Sequence, residues 1–310
     1  MAESAPLTND TILSLRDAPA HLLVIGGSCI CLEFAQILRR LGSAVTVLEG
    51  AAAIASRDTP DISARLRSML EADGVRIVTG VRVEAVTRLP SGDVQVRLPS
   101  GDLLQGSHML VATGRRPNTP GLGLETVGIR LDSQGFVPVD GELATTVRGI
   151  WAVGDVNRRG AFTHTSWQDH EIVLAHLGGG RRTADGRVTS YAMYTDPPMG
   201  RIGINETEAR VGQATGRRFL FAEHEMARVS RAKEEGETTG VIRVLVDTET
   251  HRFAGITMLG INADEFVQVV AALMAADAPY EVLRDMLPLP VHPTVTEFFP
   301  TILRKLKPLT

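Results

Sequence analysis

The sequence predicts an α/β protein with a parallel sheet and flanking helices near the N-terminus and an α+β unit near the C-terminus. Residues 21–78 alternate short apolar runs with helix-like apolar spacing, which is typical of strand-helix-strand units. Residues 81–112 change to short alternating runs separated by two Pro-Ser-Gly-Asp turns. Beyond a Gly- and Arg-rich stretch at residues 178–183, strand and helix patterns resume in a different order.

Composition limits the class of protein and its partners. The chain has 310 residues, 44% hydrophobic and 22% charged, with a net charge of -4, as expected for two or three ordinary folded domains. The small charge argues against nucleic-acid partners. The apolar stretches are shorter than the roughly 18 residues of a membrane span, and residues 1–17 do not resemble a leader. We therefore expect no membrane partner and a cytoplasmic location.

The first elements are predicted in order along the N-terminal half. Residues 21–25 form a strand, and the helix that follows ends at Gly42. Residues 44–48 form the next strand, and a helix over residues 61–73 leads to a third strand at residues 75–78. The three runs at residues 81–89, 94–98 and 103–112 are predicted to form an antiparallel meander.

The second half is predicted to contain strands and turns over residues 122–155 and a helix over residues 167–177. Further strands are expected at residues 199–204, 241–246 and 254–259, and further helices at residues 263–276 and 293–306. Two pairs are spaced like capping boxes, Asn205 with Glu208 and Asn262 with Glu265.

The turn after the first strand carries a partial dinucleotide-binding signature. In a G-x-G-x-x-G turn the glycines let backbone and helix approach a pyrophosphate, and here the three positions hold Gly26, Ser28 and Cys31. Glu49 ends the second strand about 20 residues on, where an acid accepts a ribose hydroxyl and repels a 2'-phosphate. We expect weak binding, with NADH preferred over NADPH. The alternative is an ordinary strand-helix-strand unit with a surface glutamate.

The two cysteines of the sequence, Cys29 and Cys31, lie one residue apart at this turn. Their spacing is poor for a structural disulfide and fits a reducing compartment. A helix N-terminus can lower a thiol pKa, so one interpretation of the pair is a redox role. Small residues replacing glycines in a tight turn are the simpler interpretation.

Four segments, in order, resemble the pyridine nucleotide-disulfide oxidoreductases, the family of dihydrolipoamide dehydrogenase, glutathione reductase and mercuric reductase. They are Leu-Val-Ile-Gly-Gly at residues 23–27 with Leu-Glu-Phe-Ala at 32–35, Ala-Thr-Gly-Arg-Arg-Pro-Asn at 112–118, Ile-Trp-Ala-Val-Gly-Asp at 150–155, and His-Pro-Thr-Val-Thr-Glu at 292–297. Residues 160–166 and 194–201 look most like the mercuric-reductase-like, reactive-chlorine-resistance flavoproteins.

The resemblance implies four parts: an N-terminal linker (1–17), a Rossmann-like NAD(P)-binding domain (18–113), the C-terminal half of an FAD-binding domain (114–186) and a dimerisation domain (187–310). It implies a homodimer through the C-terminal domain. The residues that it implies for cofactor binding are Gly26, Gly27, Ser28, Cys31, Glu33 and Glu49 for NAD, and Gly114 and Asp155 for FAD. No group of residues has metal-ligand spacing, so no metal site is expected.

His292 and Glu297 are the catalytic residues that the resemblance implies, reaching the active site of the partner subunit. An imidazole held by a carboxylate can act as a general acid-base near neutral pH, as thiol-disulfide chemistry needs. The alternative is a solvated histidine before a helix whose first turn carries the glutamate.

The family begins with a further FAD-binding G-x-G-x-x-G and a C-x-x-x-x-C redox pair, and neither occurs in this sequence. We therefore expect a truncated relative of an enzyme that passes hydride from NADH through flavin to a small-molecule, metal-ion or disulfide acceptor. As an isolated chain it is expected to hold little FAD and to be inactive. The alternative is a catalytically dead dimerising module that binds nucleotide weakly.

Overall fold

The computed structural model describes residues 6–286 and 290–310 and divides into two compact units. One unit combines Met1–Thr113 with Thr189–Thr310, and the other is Gly114–Val188. We call the two parts of the first unit the N-terminal and C-terminal domains. Residues 1–5 of the predicted linker and residues 287–289 of the predicted dimerisation domain lie outside the described residues.

The N-terminal domain contains a parallel sheet with a small antiparallel sheet beside it. Its elements are β1 (His21–Ile25), α1 (Cys29–Arg40), β2 (Ala44–Glu49), α2 (Pro60–Ala72), β3 (Arg76–Thr79), β4 (Ala85–Arg88), β5 (Val94–Arg97), β6 (Leu103–Gly106) and β7 (His108–Val111). The parallel sheet has the order β3-β2-β1-β7, and β4, β5 and β6 form the antiparallel sheet. The strand-helix-strand prediction for residues 21–78 is confirmed.

The prediction of one meander strand over residues 103–112 is wrong. The segment forms two strands, β6 in the antiparallel sheet and β7 in the parallel sheet, and the chain passes from one sheet to the other at Ser107. The Ser107 hydroxyl accepts from the His21 amide and donates to the His21 carbonyl, at 3.1 Å each. A Cβ on Gly106 would lie 2.8 Å from Leu23 Cγ. This close approach directs the residues after Gly106 into β7, parallel to β1.

Part of the segment predicted as a linker is packed on this domain. Leu7 pairs in parallel with the outer side of β7, donating to the Met109 carbonyl at 2.7 Å and accepting from the Val111 amide at 2.9 Å. Ile12, in a 3-10 helix over Ile12–Ser14, is buried in the main core. Residues 7–12 therefore belong to the folded domain.

One hydrophobic core joins the N-terminal and C-terminal domains. Leu22 and Val24 of β1 and Leu66 of α2 are fully buried in it. The same cluster includes Met199 and Leu259, which lie in the C-terminal domain. Burial of this apolar surface explains why the two domains form one unit.

The second unit has little regular structure apart from one helix, α3 (Thr163–Leu177). The strands predicted over residues 122–155 are wrong, since the described segment holds 3-10 helices at Leu124–Val127 and Gly154–Asn157 and an isolated bridge between Ala144 and Trp151. Positive φ angles at Gly128 (84°) and Gly135 (88°) interrupt the extended backbone that a strand needs.

The C-terminal domain is a six-stranded antiparallel sheet with helices. Its elements are β8 (Ser190–Met193), β9 (Met199–Gly203), α4 (Glu206–Ala214), β10 (Phe219–Glu225), α5 (Ser230–Glu235), β11 (Val241–Asp247), β12 (Phe253–Leu259), α6 (Ala263–Ala275), α7 (Glu281–Arg284), α8 (Phe299–Leu303) and β13 (Lys307–Pro308). The strand order is β13-β10-β11-β12-β9-β8. The strands predicted at residues 199–204, 241–246 and 254–259 and the helix at residues 263–276 are confirmed.

The helix predicted over residues 293–306 is wrong in extent. A 3-10 turn at Thr296–Phe298 precedes the five-residue α8, which begins just before Pro300. Proline has no amide hydrogen and is tolerated in a first helical turn but not in a helix interior, so a new helix begins here. Phe299 then stacks on Phe266 of α6, with ring centroids 4.3 Å apart.

The two predicted capping boxes differ in outcome. The Asn205 box is confirmed, because its side chain accepts from the Glu208 amide at 2.9 Å and Glu208 accepts from the Asn205 amide at 2.8 Å. The Asn262 box is wrong. Asn262 is in the left-handed region, with φ of 61°, and makes no side-chain cap. In the described residues, no helix is long and apolar enough to cross a membrane.

We expect Asn205→Ala to lower the free energy of unfolding by at least about 1 kcal/mol, because it removes a helix cap and also the donor to the Arg57 carbonyl. Asn262→Gly is the contrasting variant, and it should not lower stability because glycine adopts the left-handed region without strain. Urea unfolding followed by circular dichroism measures both. An equal loss in the two variants would contradict the assignment of the caps.

Candidate functional site

The turn between β1 and α1 is tightly packed at both glycines. Gly26 has φ of 115°, and a Cβ there would lie 2.8 Å from Cys31 Sγ. A Cβ on Gly27 would lie 2.8 Å from Glu49 Oε2 and 3.1 Å from Ile54 Cγ2. Both positions therefore require glycine, and the turn lies at the carboxyl ends of parallel strands, where open α/β sheets bind ligands.

Ser28 and Cys31 take up different places around this turn. Ser28 is exposed at the N-cap of α1 and makes no side-chain cap. Cys31 is fully buried, and its thiol donates to the Ala112 carbonyl at 3.3 Å. The Cys31 side chain thus fills the space between α1 and the end of β7, behind the turn, whereas Ser28 is on the solvent side.

Glu49 places a carboxylate directly beside the turn. It is the last residue of β2, and its Oε1 accepts from the Ala51 amide at 2.6 Å. Its Oε2 is the oxygen that lies closest to the position of a Gly27 Cβ. The structure therefore brings together Gly26, Gly27, Ser28 and Glu49 among the predicted cofactor-binding residues.

Glu33, another of the predicted cofactor-binding residues, contacts the C-terminal domain. Its Oε1 accepts from the Tyr194 amide at 2.8 Å. Burial raises the pKa of Glu33, and the Tyr194 hydrogen bond opposes this shift. In the structure, Glu33 therefore links α1 to the segment that precedes β9 in the C-terminal domain.

Neither cysteine has the lowered pKa that a redox role at a helix N-terminus would need. Burial raises the pKa of Cys29 to about 11, with the nearby carboxylates of Glu33 and Asp58 adding to the shift. Burial also raises the pKa of Cys31. Both thiols are free, and the structure favours the interpretation that they are small residues filling a tight turn.

In the second unit, Gly114 and Asp155 lie on exposed backbone. Gly114 has φ of 153°, and apart from Gly114 and its two chain neighbours no heavy atom lies within 4 Å of where its Cβ would be. Asp155 is in the 3-10 turn Gly154–Asn157 and forms an ion pair with Arg115. Both ion-pair side chains are about half exposed, so this contact contributes little stability.

Asp169 of α3 is a structural residue of this unit that the sequence analysis missed. It is fully buried, accepts from the Gly154 amide at 2.8 Å and from Asn157 Nδ2 at 2.7 Å, and pairs with Arg187. It therefore fixes the turn that carries Asp155. Its spacing from Thr165 and Ile172, which are also buried, is the helical signal that could have identified it.

His292 and Glu297 lie together in the C-terminal domain. His292 Nδ1 is 2.7 Å from Glu297 Oε2, and the Glu297 amide donates to the Thr294 hydroxyl at 3.2 Å. The His292 side chain is 68% exposed and the Glu297 side chain 14%. Arg231 donates to the Pro293 carbonyl at 2.7 Å and so restrains the backbone beside the imidazole. Glu297 holds one ring nitrogen while most of the ring faces outward.

Metal ligands are not assembled in the described part of the chain, where no group of three or more His, Cys, Asp or Glu side chains could hold an ion.

Comparison with known families identifies the class of protein. Residues 2–169 match the family "Pyridine nucleotide-disulphide oxidoreductase", and residues 189–302 match the dimerisation domain of that family. The chain belongs to the pyridine nucleotide-disulphide oxidoreductase family. The predicted family and fold class are confirmed, and the family is one of oxidoreductases.

Individual relatives cover almost all of this chain. It is 34% identical to the probable pyridine nucleotide-disulfide oxidoreductase RclA of Escherichia coli (strain K12), over 92% of this chain and 64% of the relative. It is 34% identical to the mercuric reductase of Streptomyces lividans, over 94% of this chain and 60% of the relative. The chain thus spans 60–64% of the length of these curated relatives.

A solved structure agrees with these relatives. The HOCl-induced flavoprotein disulfide reductase RclA from Escherichia coli superimposes with a TM-score of 0.90 at 33% identity. The match covers 97% of this chain and 68% of that one.

We expect slow alkylation of Cys29 in the folded Cys31→Ser variant. Because the pKa is raised to about 11, the thiolate fraction and the rate should rise about tenfold per pH unit from pH 7 to 10. Iodoacetamide labelling followed by intact-mass spectrometry measures the rate, and the same variant in urea is the control. Fast labelling at pH 7 that changes little up to pH 9 would show a reactive thiolate instead.

Proposed function

We propose that this chain binds NADH at the β1–α1 turn and is the nicotinamide and dimerisation part of an oxidoreductase that reduces a disulfide or metal-ion acceptor through flavin. The observation that carries the proposal is the Gly26-Gly27 turn closed against Glu49. We assign residues 18–113 to NAD binding, residues 114–186 to part of an FAD-binding domain and residues 187–310 to dimerisation. A flavin, when bound, accepts hydride from nicotinamide and passes electrons to the acceptor.

Each part of the turn has a role in holding the nucleotide. The amides at the start of α1 are available to a pyrophosphate, since the first N-H groups of a helix have no partner within the helix. The absence of a side chain on Gly27 leaves the Glu49 carboxylate open to ribose hydroxyls. The same charge repels a 2'-phosphate, which supports NADH over NADPH. Ser28 adds a side chain on the ligand side of the turn and weakens binding.

Asp155 and Gly114 are the proposed flavin-side residues. Asp155 has hydrogen-bonding capacity for the hydroxyls of a ribityl chain, and Asp169 fixes its turn. To bind hydroxyls, Asp155 gives up its ion pair with Arg115. Losing this pair costs little free energy because both side chains are about half exposed. The open space at Gly114 allows a cofactor to approach the backbone.

His292 is the proposed general acid-base, and Glu297 orients it. Glu297 engages Nδ1, which leaves Nε2 to give or take a proton at an acceptor thiol. The exposure of His292 suits a role at the active site of the partner subunit. A cytoplasmic location fits two reduced cysteines.

We expect NADH to bind at least about tenfold more tightly than NADPH, because Glu49 repels the 2'-phosphate. Glu49→Gln should narrow the difference to less than about threefold. Fluorescence titration of the 310-residue chain with each nucleotide measures both. In the same titration, Ser28→Gly should tighten NADH binding. The matched variant Cys31→Gly should not, and should lower stability by leaving a cavity behind the turn.

Equal or tighter binding of NADPH by the unsubstituted chain would contradict the assignment of Glu49. No measurable binding of either nucleotide would favour the catalytically dead dimerising module.

The chain should be a homodimer in solution, with twice the chain mass of 33.4 kDa by light scattering at micromolar concentration. The family's dimerisation domain, which matches residues 189–302, is the reason. His292→Ala should keep this mass, because the exposed imidazole is proposed to act in proton transfer. A monomer at that concentration would count against a dimer through the C-terminal domain.

A further inference from the structure

The loop between β2 and α2, residues 50–59, connects the proposed ribose-binding Glu49 to α2. It is hydrogen-bonded directly to the glycine turn, since the Ala55 amide donates to the Gly27 carbonyl at 2.8 Å. Ile54, in the same loop, is buried against Gly27. Any displacement of this loop would therefore move the turn that is proposed to hold the nucleotide.

Arg201 of the C-terminal domain contacts this loop, as does Arg243, which donates to the Thr59 hydroxyl at 3.3 Å. Arg201, on β9, is 4% exposed. Its Nη1 donates to the Arg57 carbonyl at 3.1 Å and lies 3.5 Å from Asp58 Oδ1. Its Nη2 pairs with Glu208, and its Nε donates to the Gly203 carbonyl at 3.3 Å. All three guanidinium nitrogens are thus engaged, and one of them holds two consecutive loop residues.

Two more side chains of the C-terminal domain form hydrogen bonds with the same two loop residues. The Tyr191 hydroxyl lies 2.7 Å and 2.8 Å from the two carboxylate oxygens of Asp58. Asn205 Nδ2 donates to the Arg57 carbonyl at 3.2 Å. The Asp58 side chain is 3% exposed. Water cannot easily replace partners in such a buried network, so losing one of them leaves a polar group unsatisfied.

We propose that Arg201 is a positioning residue for the nicotinamide nucleotide site. It acts through Arg57 and Asp58, which hold the loop, and through the Ala55-Gly27 hydrogen bond, which holds the glycine turn. Through Arg201, the domain assigned to dimerisation then sets the fraction of molecules whose nucleotide site has the binding-competent geometry. This inference rests on the proposed NADH binding.

The test compares Arg201→Met, Arg201→Lys and Tyr191→Phe with the unsubstituted chain. Arg201→Met removes every hydrogen-bond donor of the side chain while keeping a side chain of similar length. Arg201→Lys keeps the positive charge. Glu225→Gln is the matched control. It weakens the Arg65-Glu225 pair, at 2.8 Å and 2.9 Å, which also joins the two domains but does not touch the loop's Arg57 or Asp58.

Two readouts are used: the NADH dissociation constant, and hydrogen exchange of the peptide covering residues 50–58 in the absence of nucleotide. We expect Arg201→Met to raise the dissociation constant about tenfold, because the binding-competent fraction falls, with faster exchange of the loop. Arg201→Lys should give a smaller rise. Glu225→Gln should leave both readouts unchanged, whatever it does to the unfolding midpoint.

If Arg201→Met does not fold, Tyr191→Phe decides the question, with an expected rise of about threefold and faster loop exchange. If the variants fold and the hydrogen exchange of residues 50–58 is unchanged, Arg201 does not anchor the loop. Faster exchange with an unchanged dissociation constant overturns the link to the nucleotide site. If the unsubstituted chain does not bind NADH, the proposed function and the link fail together, while exchange still decides whether Arg201 anchors the loop.

Discussion

The first turn of α1 lies so close to the carboxyl ends of β1 and β7 that Gly26 has no room for a side chain, and the Cys31 thiol closes the gap to the Ala112 carbonyl. This contact sets the height of the helix above the sheet. It brings Gly27 against Glu49, and it points the free amides of the helix toward the edge where the parallel strands end. The proposed nucleotide site and the loop after β2 both adjoin this packing, through Glu49 and through the hydrogen bond from the Ala55 amide to the Gly27 carbonyl.

Periodicity was sufficient to predict the elements that bury one regular face. β1, α1, β2 and α2 follow from their apolar spacing, and so do β9, β11 and β12. β10 was missed because Glu223 and Glu225 break its apolar pattern. In the structure these two carboxylates form ion pairs with Arg243 and Arg65. Charged residues on this strand therefore contact other side chains as well as solvent. The sheet change at Ser107 depends on contacts with His21, which a local pattern does not show.

The candidate site was predictable where its chemistry is local in sequence. Gly26, Gly27 and Glu49 belong to one strand-helix-strand unit, and His292 and Glu297 are five residues apart. The network around Asp58 was not predictable, because its partners Tyr191 and Arg201 come from another domain. The hydrogen bond from the Tyr194 amide to Glu33 was not predictable for the same reason, and the cofactor contact that the family resemblance implies for Glu33 stays a prediction.

Both outer strands of the parallel sheet have part of their free edge occupied. Leu7 satisfies backbone groups on the free side of β7, and the Arg67 guanidinium donates to the Ile77 carbonyl of β3 at 3.0 Å. Uncovered strand edges recruit strands from other molecules. The segment around Leu7 therefore protects the protein from edge-to-edge aggregation, so expression variants that remove it would expose β7 as a template for intermolecular β-pairing.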